Sequence, residues 1–183
     1  VAQDKIDHLT IEGPDKAKVV LVKSDGAWRL PETGDFPADG DKVTQLLTRL
    51  TGLKRGPAVA TTTGARDRFK VSDSDFERRI TLAAGDKTLA TLYLGTAPAM
   101  RRVHARAADD EAVYAVGFAN YEAPVKADSW EDHDILQFPK TAVKAIDVDD
   151  LHLQASAQTA SADIADATAP KPDKAAPPAK TVW

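Results

Sequence analysis

The 183 residues are 43% hydrophobic and 28% charged, a balance close to that of globular domains and too apolar for a wholly disordered chain. A formal charge of -4, from 28 acidic and 24 basic residues in mixed runs, argues against nucleic acid as the principal partner. The absence of cysteine removes disulfides, thiolate catalysis and cysteine-ligated metals, and fits either cytoplasm or periplasm.

The chain starts at Val1 without a basic or apolar leader, as expected of an excised piece or a mature fragment. Its longest apolar stretches are about six residues, against the roughly 20 needed to cross a bilayer. Membrane association would need a segment absent from this chain.

Ile6, Leu9 and Ile11 open a strand, and Gly13-Pro14-Asp15 supplies a turn. The run Val19-Val20-Leu21-Val22 is β-branched and too short for a typical helix, Ser24-Asp25-Gly26 reverses the chain, and Ala27-Trp28-Arg29-Leu30 returns it. These segments predict an antiparallel meander. After Phe36-Pro37-Ala38, Asp39 can accept from the free amides of a first helical turn, while Val43, Leu46, Leu47, Leu50 and Leu53 recur on one side. The spacing predicts a helix over residues 39–53, weakened by Gly52 and ended by Gly56-Pro57.

Residues 63–69 predict a short helix with Ala65 and Phe69 facing inward. Residues 76–84 and 89–94 predict a hairpin about Gly85-Asp86, with Phe76, Ile80, Leu82 and Ala84 on one face and Arg78 interrupting it; Gly95 is read as a turn glycine. Two further strands, 103–107 and 113–118, flank the acidic turn Asp109-Asp110-Glu111. Trp130 with Ile135, Leu136 and Phe138 is expected to plug the core. The fold class is therefore α+β: a mainly antiparallel sheet packed against one principal helix, in a compact domain over residues 1–138. Val143, Ile146 and Val148 lead to Asp149-Asp150-Leu151-His152-Leu153, which echoes Asp7-His8-Leu9-Thr10-Ile11, so residues 139–154 are expected to start a second copy of the opening unit. Residues 155–183, rich in Ala, Ser, Thr and Pro, are expected to be a flexible linker or inserted loop.

No catalytic, cofactor or metal motif stands out. His8, His104, His133 and His152 are isolated and expected at the surface or an edge. Asp132-His133-Asp134 are adjacent, but neighbouring side chains diverge in a strand and span a wide arc in a helix. Ser72 and Ser74 beside Asp73 and Asp75 predict a capped turn, and Asp109-Asp110 and Asp149-Asp150 read as solvated turns. No phosphate loop and no nucleophile elbow is present. Binding demands less: Tyr93, Tyr114, Tyr121 and Trp130, together with Phe118, could offer rigid contacts, and Arg101, Arg102 and Arg106 could favour an acidic partner. Taken singly, each aromatic is better explained as core packing.

The order Trp28-Arg29-Leu30, Phe36-Pro37-Ala38-Asp39, Val43 and Leu46-Leu47 with Leu50, then Leu92-Tyr93-Leu94-Gly95, Val113-Tyr114-Ala115-Val116, Trp130-Glu131-Asp132 and Ile135-Leu136 resembles the bacterial domain-of-unknown-function family 4340, over roughly residues 6 to 138. The resemblance implies a membrane-tethered envelope protein, with weaker similarity to auxiliary components of gliding-motility or polysaccharide transport systems. It implies a periplasmic or extracytoplasmic place, duplicated units and a protein or envelope-complex partner, and supplies no active residues. The expected function is a noncatalytic interaction or scaffold module. The alternative is a hydrolase of an envelope polymer using dispersed carboxylates, which requires a concave site with two carboxyl groups in catalytic reach.

Overall fold

The computed structural model describes residues 2–136, 144–148 and 151–154. Two compact units divide the chain, Val1–Gln137 and Phe138–Trp183. The expected linker, residues 155–183, lies outside the described residues.

The first unit holds one nine-stranded antiparallel sheet. Its opening strands are β1 (His8–Glu12), β2 (Lys18–Ser24), β3 (Ala27–Leu30) and β4 (Phe36–Pro37). Alternation of apolar and polar residues buries Leu9, Ile11, Val19, Leu21, Trp28 and Leu30 on one face. Asp25 and Gly26 both have positive φ, 51° and 83°, the geometry of the two-residue turn that matches strand twist, so the meander forms where the sequence places it.

Helix α1 (Gly40–Thr51) lies on that buried face. The Asp39 carboxylate accepts the Lys42 amide at 3.0 Å, and this N–H, first among several donors, holds the carboxyl below its usual range. Val43, Leu46 and Leu47 are buried in the same core as Leu9, Ile11, Ile80 and Leu82. The helix stops at Thr51 with Gly52 as its cap, earlier than Gly56-Pro57, and Leu53 packs on the core from beyond the last turn. An Asp39→Ala change is expected to lower unfolding free energy by about 1 kcal/mol in urea melts at neutral pH.

After α1 come β5 (Ala58–Ala60), the short helix α2 (Thr63–Arg68), then β6 (Arg78–Ala84), β7 (Lys87–Leu94), β8 (Val103–Ala107) and β9 (Val113–Val116). The sheet order is β4-β3-β2-β1-β6-β7-β8-β9-β5. Two meanders are thus joined where β1 pairs with β6, Ile11 opposite Ile80. Arg78, which breaks the apolar face of β6, donates from Nε to the Ala123 carbonyl at 3.0 Å, so its charge is spent on a loop that crosses the sheet end.

Trp130 is buried in the core, as expected. Its indole donates to Pro124 O at 2.9 Å, and its own carbonyl receives the Asp39 amide at 2.8 Å, tying this segment to the start of α1. Ile135 stays 48% exposed and is no part of a plug; Phe138 and the Leu136 side chain lie outside what is described. Among the described residues no helix is long and apolar enough to cross a membrane.

In the second unit, β10 (Ala145–Val148) and β11 (Leu151–Gln154) pair antiparallel, with Ile146 opposite Leu153. Asp149 and Asp150, between them, are outside the described residues.

Candidate functional site

One helix cannot cover nine strands. Near the C-terminal end of α1, the helix-side face of β6 to β9 is left with a hollow of about 290 Å³. Sequence explains the hollow: Ala90 on β7 and Ala105 and Ala107 on β8 place small side chains where the same face elsewhere carries Leu92, Leu94 and Val103. The register sets Leu92 opposite Ala107 and Leu94 opposite Ala105, so bulk and space alternate across the strand pair. Leu50 and Leu53 form one wall, and Ile80, Leu82, Tyr114 and Val116 complete an apolar lining.

The mouth is polar and organised. Asp110 accepts from Tyr114 Oη at 3.1 Å, from the Ala112 amide at 2.9 Å and from Arg55 at 3.1 Å. The Ala112 N–H is foremost in holding this carboxyl below its usual range. Arg55 also lies over the Tyr114 ring, 5.6 Å from its centre. Asp110 is therefore a hydrogen-bonded clamp rather than the freely solvated turn residue expected, whereas its neighbour Asp109 is exposed at the rim.

The opposite face of the sheet carries a different pattern. Registers align Lys18, Glu12, Arg79, Tyr93 and Arg106 in one row across five strands. Arg79 grips Glu12 through two hydrogen bonds, one of 2.7 Å, and lies over Phe76 at 5.2 Å. Arg106 lies over Tyr93 at 4.5 Å and donates to Val71 O at 2.7 Å and to Asp73 at 2.6 Å. Burial, first, pushes the Tyr93 phenol up, and the Arg106 guanidinium, first, holds Asp73 down. With its donors engaged inside the fold, this row staples the segment after α2 to the sheet.

Of the seven residues expected to meet a partner, the structure brings only Tyr114 to the hollow. Tyr93 and Arg106 are buried on the other face and Trp130 is in the core, so none of these three offers a contact surface. Arg106 already has its acidic partner, Asp73, within the same chain. Tyr121 is 69% exposed beside the Arg49–Glu122 ion pair, and Arg101 and Arg102 lie on the exposed turn between β7 and β8. Sequence reasoning missed the alanines at 90, 105 and 107. The available signal was small residues at inward positions of otherwise bulky strands.

His104 departs from the surface position expected of it. It is buried, its Nδ1 lies 2.9 Å from Thr96 Oγ1, and its ring stacks 4.1 Å from Phe69. Burial pushes its pKa below the usual 6.5. The folded state then binds fewer protons than the unfolded chain. The associated stability is complete above about pH 6.5 and falls as pH drops through that value toward the lowered folded pKa. The depressed carboxylates Asp39, Asp73 and Asp110 act in a separate window, losing their contribution only below 3.8. Urea midpoints are thus expected to decline between pH 7 and pH 5, and His104→Phe to flatten that slope.

Other sequence candidates resolve into local turns. Ser72 Oγ accepts the Asp75 amide at 3.1 Å, the capped turn expected there, and Asp132 accepts the Asp134 amide at 2.9 Å. Among the described residues, no group of three His, Asp or Glu side chains could hold a metal ion.

An open antiparallel sheet with one principal helix, α1, and a short second one, α2, places this domain in the α+β class. The sequence model of a family described as domain of unknown function, DUF4340, matches residues 28–181, and the chain belongs to that family. The matched span starts later and runs further than the stretch on which the resemblance was read, and it reaches into both units. No curated protein and no solved structure matches the chain.

Proposed function

We propose that this domain is a noncatalytic interaction module that seats one bulky apolar side chain of a protein partner in the hollow beside α1. The observation that carries this reading is the hollow itself, about 290 Å³ of mostly apolar space. That volume stands at the lower limit of pockets for small molecules, which suits a side chain better than a cofactor. Chemistry at the rim points the same way. Asp110 is held by Arg55, Tyr114 and a backbone amide, leaving Asp109 without a second free carboxylate beside it for acid–base work. The family resemblance adds the setting: a scaffold role in an extracytoplasmic envelope assembly.

Filling the hollow tests the reading. A displayed peptide library selected on the intact chain is expected to enrich peptides sharing one large apolar residue. Ala105→Leu is expected to weaken their binding about 10- to 100-fold, the worth of one buried side chain, while the domain stays folded because the added atoms enter existing space. Enrichment of nothing, or of peptides indifferent to Ala105→Leu, would remove the proposal.

A further inference from the structure

We infer that the hollow of one copy receives the Met100 turn of a second copy, so that the chain associates with itself head to tail. This rests on the reading of the hollow as a socket for an apolar side chain and names the occupant.

The turn is built as a projecting knob. Arg102 N donates to Ala99 O at 3.1 Å, closing a tight turn with Met100 and Arg101 at its centre. Met100 is 91% exposed, the largest exposure among the large apolar side chains described. Arg101 holds φ at 56°, in the left-handed region where glycine sits freely and a side-chain-bearing residue costs about 1–2 kcal/mol. The same left-handed φ occurs at the turn residues Asp15, Lys16, Asp25, Asp35 and Lys70, so it marks Arg101 as part of a tight turn, and what sets this turn apart is the outward Met100.

Knob and socket match in shape and charge. Methionine is unbranched and flexible, suited to an irregular hollow floored by alanines. Arg101 and Asp109 enter no ion pair among the described residues, and each flanks its own half of the contact, Arg101 beside the knob and Asp109 at the socket rim. A second copy therefore brings a cation to the place where the first has an unspent anion. The two halves also lie at opposite ends of one strand: the turn leads into β8 and Asp109 follows it, about 17 Å along five residues at 3.4 Å each. A knob and a complementary socket at different places on one surface make a heterologous contact, which repeats from copy to copy. One turn in one hollow covers far less than the roughly 800 Å² per partner of a standard interface, so the association is weak and dependent on concentration.

Sedimentation velocity of the full chain from about 5 to about 500 µM covers the range in which a contact this small assembles. The weight-average sedimentation coefficient is expected to rise with concentration. Met100→Glu and Asp109→Arg are each expected to weaken association about ten-fold or more, and Arg101→Glu combined with Asp109→Arg to recover it. All three positions are exposed, so loss of folding does not confuse the result. A spin label on Ala97→Cys of one copy is expected to broaden amide signals of Ala107 and Asp109 in an isotope-labelled second copy. No association up to the highest concentration, or broadening confined to other residues, overturns the inference. If the hollow still binds the selected apolar peptides in that case, only self-association falls; if it binds neither, the socket reading falls with it.

Discussion

Gly95→Ala is expected to destabilise the first unit by on the order of 3 kcal/mol, a large part of the roughly 5–15 kcal/mol available to a domain. A methyl group at this position would lie 1.9 Å from the Phe69 carbonyl oxygen and 2.5 Å from that of Lys70. Both obstacles are backbone, so no side chain can swing away. Retreat of residue 95 is blocked as well: its amide donates to His104 O, its carbonyl accepts from Asn120 Nδ2, and the next amide donates to Phe69 O at 2.9 Å. The reason for glycine here is close approach between the end of β7 and the chain leaving α2, rather than the turn the sequence suggests, since its φ is not in the left-handed region. Urea unfolding of the variant beside the parent chain checks this, and a loss below about 1 kcal/mol would contradict the geometry.

Arg106→Ala is expected to cost about 2–4 kcal/mol by the same measurement, from an orphaned acceptor and a void rather than from a stranded buried charge. The Arg106 side chain is only 3% exposed, and its guanidinium serves the Val71 carbonyl, Asp73 and the Tyr93 ring. Removing it orphans the Val71 carbonyl, opens a void over the Tyr93 ring and frees the segment that carries Asp73. Lysine should rescue little, because a single ammonium cannot reach these partners with the planar fork of arginine. Asp73→Asn is the informative contrast. Asp73 is 77% exposed, so solvent already screens its charge and the expected loss is below about 1 kcal/mol. Equal costs for the two changes would show that the ion pair, not the buried guanidinium, holds the staple.

These two residues mark the boundary of what could be read before the fold was known. Gly95 and Arg106 each look ordinary in the chain, a turn glycine and a surface cation. Their importance comes from distant partners, the Phe69 and Lys70 backbone for Gly95 and Val71 and Asp73 for Arg106. Trp130 reads both as core and as a contact residue in the chain, and its burial decides for the core; its role in locking Asp39 depends on a hydrogen bond to a segment about 90 residues earlier, a distance no local pattern encodes.

What the sequence by itself determined is local: the meander about Asp25-Gly26, the Asp39 cap, the apolar stripe of α1, the hairpin at Gly85-Asp86 and the capped turn at Ser72. Each depends on residues within a few positions of one another, whose backbone preferences act before any distant contact forms. Only the tertiary structure decided that β1 pairs with β6, that three alanines from two strands share one hollow beside the last turn of α1, and that Tyr93, Arg106 and His104 turn inward while Met100 turns out. Those outcomes follow from which surfaces meet across the sheet, and burial is a property of the meeting rather than of either residue alone.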